Sequence, residues 1–437
     1  MKKGKIAILG AGESGTGAAI LAMKEGYEVF VSDSGAIKDN FKAELDSHSI
    51  AWEENGHTTE RITDADEVIK SPGIPNTAPL VKLLAAQGTP VISEIEFAAR
   101  FTRAQFICIT GSNGKTTTTS LIHHILKTAG LDASLAGNIG QSLAKQVAQN
   151  DHKYYVVELS SFQLDNMYRF RAHIAVLLNI TPDHLDRYNH DFMQYAAAKM
   201  RITQNQTPDD YFIYWRDDAT IRQLAGSLHS QATNLAFSLT DEAHILPGRD
   251  FVKWLQTPGS LLIRGKHNLY NAIAASLAAQ CLGVGEGIIK RALSTFAPVE
   301  HRLETVRTIN GITFVNDSKA TNVDSCYYAL ESMTTPVVLI LGGKDKGNDY
   351  SQIDNLVRQK VKTLVFMGLH NEPLRQHFGG LAIPIIDTDN IADAINGAYR
   401  AASQGDTVLL SPCCASFDLF SSYEDRGTQF KNIVNAL

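Results

Sequence analysis

The 437-residue chain is 44% hydrophobic and 20% charged, the composition of soluble globular domains, and at ~100 to 200 residues each it predicts about three of them. A formal net charge of −6, with no dense Lys/Arg run carrying interleaved aromatics, argues against a nucleic-acid partner, and no run of ~18 apolar residues offers a membrane span. Five cysteines (Cys108, Cys281, Cys326, Cys413, Cys414), an odd number without C-x-x-C, fit neither a disulfide framework nor a zinc site and point to a reducing compartment.

Lys2, Lys3 and Lys5 precede Ile6-Ala7-Ile8-Leu9, but Gly10, Gly12 and Glu13 end that apolar run too early for a signal peptide. Lys5 to Leu9 instead reads as a strand. Gly10-Ala11-Gly12-Glu13-Ser14-Gly15 after it matches G-x-G-x-x-G, with a helix continuing to about Gly26. A second strand, Tyr27 to Ser32, ends at Asp33, the remove at which an acidic residue bonds a ribose hydroxyl in NAD sites; the same geometry serves any nucleotide diphosphate. Asp66 to Lys70 forms a further strand and delivers Ser71-Pro72-Gly73-Ile74-Pro75, a stiff turn at the edge of the sheet where ligands of open α/β folds lie. Ser71 is either a ligand contact there or part of a plain turn. Val91-Ile92-Ser93 and a helix from Glu94 to Phe101 lead onward.

Phe106 to Ile109 is an apolar strand running into Thr110-Gly111-Ser112-Asn113-Gly114-Lys115-Thr116, and Thr117 to Leu126 has helical spacing. The strict pattern G-x-x-x-x-G-K-[ST] is not met, because its first glycine falls at Ile109. Strand, glycines, Gly-Lys-Thr and helix N-terminus are nevertheless those of a phosphate site, in which backbone N–H groups and Lys115 face the anion and the Thr116 hydroxyl ligates Mg2+. Beyond the loop Gly137 to Gly140, a strand from Tyr154 to Val157 ends at Glu158, either a Mg2+ ligand or a cap for the next helix. Ile174 to Leu178 delivers Asn179-Ile180-Thr181-Pro182-Asp183-His184-Leu185-Asp186-Arg187, and Tyr195 to Ile202 is a helix in which Lys199, taken alone, is a solvated lysine. A strand from Leu261 to Arg264 precedes the apolar helix Ala272 to Leu282; Asn268 and Asn271, three apart, share a face and either read an adenine edge or cap the helix.

From Leu303 short strands alternate with helices again, which predicts a parallel sheet with its own core. Ile312 to Val315 runs into Asn316-Asp317-Ser318-Lys319-Ala320-Thr321-Asn322. Pro336 to Leu341 opens Gly342-Gly343-Lys344-Asp345-Lys346-Gly347, and Thr363 to Met367 is a further strand. Thr407 to Leu410 feeds Ser411-Pro412-Cys413-Cys414-Ala415-Ser416-Phe417-Asp418, with Tyr423-Glu424-Asp425-Arg426-Gly427 beyond it.

Taken together and in order, Thr110 to Thr116, Glu158-Leu159-Ser160-Ser161-Phe162, Asn179 to Arg187 with His184, and Lys199 resemble the Mur ligases, the ATP-dependent amino acid ligases of peptidoglycan synthesis. The resemblance covers most of the chain and implies three α/β domains. An N-terminal Rossmann-like domain (1–93) would take the UDP-substrate, a central P-loop mononucleotide-binding domain (94–298) ATP, and a C-terminal Rossmann-like domain (299–437) the amino acid. It assigns ATP to Gly111, Asn113, Gly114, Lys115, Thr116 and Thr117, the adenine to Asn268 and Asn271, and further nucleotide contacts to His301 and Arg302 of a hinge resembling that of the family. Asp317 and Lys319 face the nucleotide and the transferring phosphate. Two Mg2+ ions fall to Thr116, Glu158, His184 and Lys199, the last as a carbamate, since an ammonium cannot ligate a cation whereas CO2 added to the neutral amine yields a carboxylate.

Within the family, Ser71 to Pro75, Ser93-Glu94-Ile95-Glu96 and the Ser411 to Asp418 block resemble the member that uses UDP-N-acetylmuramoyl-L-alanine and D-glutamate; the Asp-Asn-Pro-Arg run of the diaminopimelate- and lysine-adding relative is missing. The resemblance then implies Asp33 and Ser34 at the uracil, and Ser14, Gly15, Thr16, Ser71, Gly73, Asn138 and His184 at the rest of the UDP-sugar. Thr321, Lys346, Ser416 and Tyr423 would take the D-glutamate carboxylates. Lys115, Glu158, His184, Lys199 and Lys319 carry a reaction in which the alanine carboxylate attacks the ATP γ-phosphate and the D-glutamate amine displaces the acyl phosphate. A cytoplasmic monomer is expected. The alternatives are a Mur-type ligase for another amino acid, a nicotinamide-dependent oxidoreductase built on Gly10 to Gly15 and Asp33, and a non-catalytic nucleotide switch using the phosphate loop alone.

Overall fold

The computed structural model describes all residues except 1–2, 228–230, 241–243, 245, 264, 298–299 and 346, and the backbone alone of 186 and 227. Apolar runs bounded by glycine become strands, and the helical segments between them carry the chain back to the same sheet edge, as parallel pairing requires. β1 (Lys5–Leu9), β2 (Glu28–Ser32), β3 (Ala51–Glu53), β4 (Glu67–Lys70) and β5 (Val91–Ile92) form a parallel sheet in the order β3-β2-β1-β4-β5. β6 (Gln105–Thr110), β7 (Ala133–Gly137), β8 (Tyr154–Glu158), β9 (Ile174–Leu177), β10 (Tyr211–Trp215) and β11 (Thr233–Phe237) form a second, again parallel, in the order β11-β10-β9-β6-β8-β7. The third comprises β12 (Glu304–Ile309), β13 (Ile312–Asn316), β14 (Val337–Gly342), β15 (Val361–Met367), β16 (Ile385–Thr388) and β17 (Thr407–Cys413), ordered β12-β13-β17-β14-β15-β16.

Two expectations are corrected. The third sheet is mixed rather than parallel, because β12 and β13 pair antiparallel across Asn310-Gly311, whose φ values of 50° and 78° make a two-residue hairpin turn. Leu261, Leu262 and Ile263 form no strand, and Arg264 lies outside the described residues; the following helix starts at Lys266 and runs to Cys281, so that Asn268 and Asn271 are inside it.

The chain divides into two compact units: Met1–Thr257 with Asn271–Leu293, and Pro258–Tyr270 with Ser294–Leu437. The first unit holds two sheets but one continuous core, in which Ile6, Ile8 and Val31 of the first sheet join Cys108, Tyr155 and Val157 of the second through Phe97, Leu143 and Val147. Helix Glu13–Lys24 packs on helix Leu143–Gln149 closely enough that a Cβ at Gly17 would stand 2.1 Å from Ser142 Oγ. The expected boundary at 93 therefore cuts a shared core, although it does separate β5 from β6. The boundary at 298 lies outside the described residues. In the second unit apolar side chains cover both faces of β14, β15 and β17. Among the described residues no helix is long and apolar enough to cross a membrane.

Candidate active site

In each sheet the motifs fall at the carboxyl ends of adjacent strands, where ligands of open α/β sheets bind. In the first sheet these are β1, β2 and β4. The turn after β1 is tight: a Cβ at Gly15 would stand 1.8 Å from Gly10 O, so only glycine lets the helix approach. Ser14, Gly15 and Thr16 occupy its first turn, Thr16 N donating to Gly12 O at 2.9 Å. Asp33, at the end of β2, accepts from Ala11 N at 2.8 Å and from Gly35 N at 2.9 Å, which fixes the glycine turn and its own loop; Ser34 beside it is exposed. Ser71 N donates to Leu9 O at 2.8 Å, seating the Ser71–Pro75 turn, with Gly73, against Gly10.

In the second sheet β6 lies between β8 and β9, so the phosphate loop, Glu158 and the Asn179 to Arg187 run meet at one edge. Asn179 brackets the loop, its Oδ1 accepting from Asn113 N at 2.8 Å and its Nδ2 donating to Asn113 O at 3.0 Å. Gly114, with φ 82°, caps helix Lys115–Thr128, and its Cα faces Asn271 Oδ1, which a Cβ would approach to 2.5 Å. Thr116 and Thr117 stand in the first turn of that helix. Lys115 Nζ folds back onto Gly111 O and Ser112 O, both at 2.9 Å. Those contacts hold the ammonium over the loop, and an anion is a stronger acceptor for it than the two carbonyls.

Lys199 is buried and donates from Nζ to Gly111 O at 2.8 Å. Burial first, then the neighbouring Lys115 ammonium, push its amine well below the ordinary lysine range, against the pull of Asp183 and Glu158. The surface-lysine reading is thus wrong: the side chain is buried, and its surroundings bias the amine toward the neutral form, the one that reacts with CO2. Glu158 accepts from Asn138 Nδ2 at 3.1 Å through one oxygen; its other oxygen, Oε2, is buried with no hydrogen-bond partner among the described residues. His184, with φ 53°, packs its ring at 5.0 Å against Phe162 and stands 3.6 Å from Asp183.

An uncompensated buried carboxylate oxygen at the strand end next to the phosphate loop fits a cation. Among the described residues no group of three or more His, Cys, Asp or Glu is arranged to hold a metal on its own. Such a sparse donor set suits Mg2+, which keeps waters and takes phosphate oxygens, and Lys199 fits as a ligand only as its carbamate.

In the second unit the carboxyl ends of β13, β17 and β14 are adjacent. Asp317, at the end of β13, is fully buried; it accepts from Ser411 Oγ at 3.0 Å and Leu303 N at 3.2 Å and pairs with Arg302 at 3.5 Å. Burial pushes its carboxyl up to about 6 despite Arg302. Lys319 Nζ donates to Tyr423 Oη at 2.6 Å and lies 4.4 Å from that ring, joining a residue assigned to phosphate with one assigned to D-glutamate. His301 is buried against Asn316 at 2.9 Å, and its backbone carbonyl accepts from Lys319 N. Thr321 N donates to Lys319 O at 3.0 Å, and Ser416 is buried in the turn after β17. Asn268 is buried in helix Lys266–Cys281, one turn before Asn271. Lys346 lies outside the described residues; Lys344, its neighbour in the same loop, is exposed and bridged to Ala415.

Four residues without an assigned role prove structural to the site. Ser112 Oγ joins Thr181 O at 2.8 Å to the Tyr195 hydroxyl at 3.0 Å, fixing the helix that carries Lys199. Arg426, fully buried, donates to Ser318 O at 2.8 Å and to Cys414 O at 3.3 Å, clamping two of the strand-end turns. Arg187 donates to the carbonyls of Pro72 and Gly73, in the turn after β4. Glu94 accepts from Ser142 Oγ at 2.7 Å and Ala144 N at 2.6 Å; burial pushes it up to about 7. The signal available for Arg426 was an arginine flanked by Asp425 and Gly427, and for Glu94 its place in the Ser93-Glu94-Ile95-Glu96 stretch, which gave it no role.

The chain belongs to the Mur ligase family. Family models match it as the Mur ligase middle domain over residues 109–279, the Mur ligase, glutamate ligase domain over 301–414, and the MurD N-terminal domain over 5–79. It is 59% identical to the UDP-N-acetylmuramoylalanine--D-glutamate ligase of Bacteroides thetaiotaomicron, over 99% of this chain and 100% of that one. Among solved structures, its fold is similar to the UDP-N-acetylmuramate-alanine ligase of Thermotoga maritima (TM-score 0.62, 16% identity, 99% of each chain). It is equally similar to the MurF ligase of the same organism in complex with ADP (TM-score 0.62, 15% identity, 93% of this chain and 95% of that one).

Proposed function

We propose that the chain is an ATP-dependent amide ligase that adds D-glutamate to UDP-N-acetylmuramoyl-L-alanine. What carries the reading is the full-length likeness to the D-glutamate ligase of Bacteroides thetaiotaomicron, together with strand-end turns in all three sheets that hold many of the assigned residues. The Gly10–Gly15 turn takes the UDP diphosphate at the helix N-terminus, with Ser71 and Asn138 beside it. Lys115 and the N–H groups of the phosphate loop bind the ATP phosphates; Asn268, Asn271, His301, Arg302 and Asp317 contact the remainder of the nucleotide. Thr116, Glu158, His184 and carbamylated Lys199 hold Mg2+, which neutralises phosphate charge when bound. Two lysines do the same work from the protein side: Lys115 and Lys319 stabilise the charge that builds on the transferring phosphoryl group as the alanine carboxylate oxygen attacks phosphorus and ADP departs. The D-glutamate amine then attacks the acyl carbon and phosphate leaves. Thr321, Lys346, Ser416 and Tyr423 orient the amino acid for that step. The UDP-substrate falls to residues 1–93, ATP to 94–298 and the amino acid to 299–437, the first two segments sharing one core, and the enzyme works as a cytoplasmic monomer with no nucleic acid or membrane partner.

The deciding experiment supplies UDP-N-acetylmuramoyl-L-alanine, ATP and one amino acid at a time and follows ADP and amide. D-Glutamate alone should support turnover. Equal rates with L-glutamate, L-alanine or diaminopimelate would move the chain to another substrate, and NAD reduction with a hydroxy acid in place of ADP release would discard the ligase reading.

A further inference from the structure

We infer that Arg187 is a positioning residue that ties the seat of His184 to the Ser71–Pro75 turn, so that the UDP-substrate site sets the geometry at the reacting carboxylate; this rests on the function proposed above. Arg187 reaches from the 3-10 turn Leu185–Tyr188 to the first sheet, where Nη1 donates to Gly73 O at 3.1 Å and Nη2 to Pro72 O at 3.2 Å. Its guanidinium lies 4.3 Å from the centroid of Phe162. The same Phe162 ring meets the His184 imidazole edge-on at 5.0 Å and stacks on Tyr188 at 6.2 Å. One planar cation thus touches both the turn that seats Ser71 and the aromatic ring against which His184 rests.

The turn does not need Arg187 in order to form. Lys70 is buried beneath it and donates to Ile74 O at 2.5 Å and Ser71 O at 3.4 Å, while Ser71 N is already held by Leu9 O. Arg187 contacts the two intervening carbonyls, and adds a second cation beside Lys70, whose amine burial and then Arg187 push down to about 8. Placing like charges together is costly, and a device that only stiffened the turn would not require it. A flat fork that donates in its plane while its face covers an aromatic ring is a property of arginine that lysine lacks. Movement of the turn when a diphosphate settles on Gly10–Gly15 is therefore passed to Phe162 and His184 as a rigid displacement.

The test uses the full-length enzyme with Arg187→Lys and Arg187→Ala, measuring kcat and the KM of each substrate by ADP release, with thermal unfolding to check the fold. Both variants should lose at least tenfold in kcat at saturating UDP-substrate and raise its KM several-fold, while the KM for ATP stays within threefold. Millimolar guanidinium should return part of the lost kcat to Arg187→Ala and leave Arg187→Lys and the wild type unchanged. Wild-type kcat in Arg187→Lys, or an ATP KM that rises in step with that of the UDP-substrate, overturns the assignment. If Arg187→Ala does not fold, Arg187→Lys decides. A wild type that makes no amide from these substrates refutes the function itself and not this role.

Discussion

Lys115 and Lys199 donate to one acceptor, the carbonyl oxygen of Gly111, at 2.9 and 2.8 Å. Their nitrogens are therefore less than about 6 Å apart, where two ammonium groups repel by roughly 3 kcal/mol at an effective dielectric near 20. Lys115 is partly exposed, and the amine pushed well below the ordinary lysine range is that of the buried Lys199.

Carbamylation of Lys199 is the first prediction. A neutral amine attacks CO2, an N–C bond forms and a proton is released, so a buried site that favours no ammonium favours the carbamate. Labelled bicarbonate should give a carbamate carbon signal that Lys199→Ala lacks. Activity of Lys199→Ala should fall by more than ~100-fold, as for loss of a group that organises transition-state charge, and short carboxylic acids should restore part of it. Full turnover by enzyme without the labelled signal would sink the idea.

Asp33 is predicted to matter to one substrate only. Its carboxylate already holds Ala11 N and Gly35 N, and the uracil would add a third donor. Losing a charged acceptor costs ~1.5 to 3 kcal/mol, about 10- to 150-fold. Asp33→Ala should raise the KM of the UDP-substrate by that range and leave the KM of ATP within threefold. A rise confined to ATP would contradict the placement.

At Tyr423 the ring and the hydroxyl separate cleanly. Tyr423→Phe removes the 2.6 Å bond to Lys319 but keeps the ring face 4.4 Å from its ammonium. Removing the hydroxyl costs ~0.5 to 1.5 kcal/mol, so kcat should fall by about tenfold or less, whereas Lys319→Ala should lose ~100-fold or more. Steady-state rates of the two variants check this, and near-equal losses would show that the hydroxyl, rather than the ammonium, is what the reaction needs.

Stability should fall between about pH 4.5 and 7 through Glu94. Burial raises its carboxyl to about 7 in the native state, so in that window the folded chain holds a proton that the unfolded chain has released. Linkage then makes the stability fall as pH rises, by up to roughly 3 kcal/mol in all. Urea unfolding of wild type and Glu94→Gln across this range should show a slope in the former that is flatter in the latter; parallel curves would exclude Glu94 as the source.

The strand-end motifs were legible because each couples a glycine or proline spacing to a preceding apolar run, and a turn that must approach a ligand leaves that mark in sequence. The antiparallel β12–β13 pair was announced by Asn310-Gly311, yet Glu304–Ile309 has the mixed burial of a sheet edge and reads poorly as a strand. Leu261 to Ile263 carried apolar residues without a strand, because periodicity cannot tell an irregular turn from a short strand. Lys199 and Glu94 were illegible from local pattern for one reason: a polar residue is taken as exposed unless something distant covers it. What covers Glu94 lies about fifty positions away.

The core shared by the first two sheets bears on how chimeras of such enzymes can be built. Exchanging residues 1–93 alone for those of a relative would set a foreign helix Glu13–Lys24 and a foreign Glu13 against the native Ser142, whose backbone N donates to that carboxylate at 3.1 Å, and against the methylene-tight contact at Gly17. A graft that carries residues 94–98 and 142–149 with it transfers both halves of the joint. The amino-terminal Rossmann-like segment and the phosphate-loop segment are, in this sense, one heritable piece, and a breakpoint placed between their sheets falls on the wrong side of it.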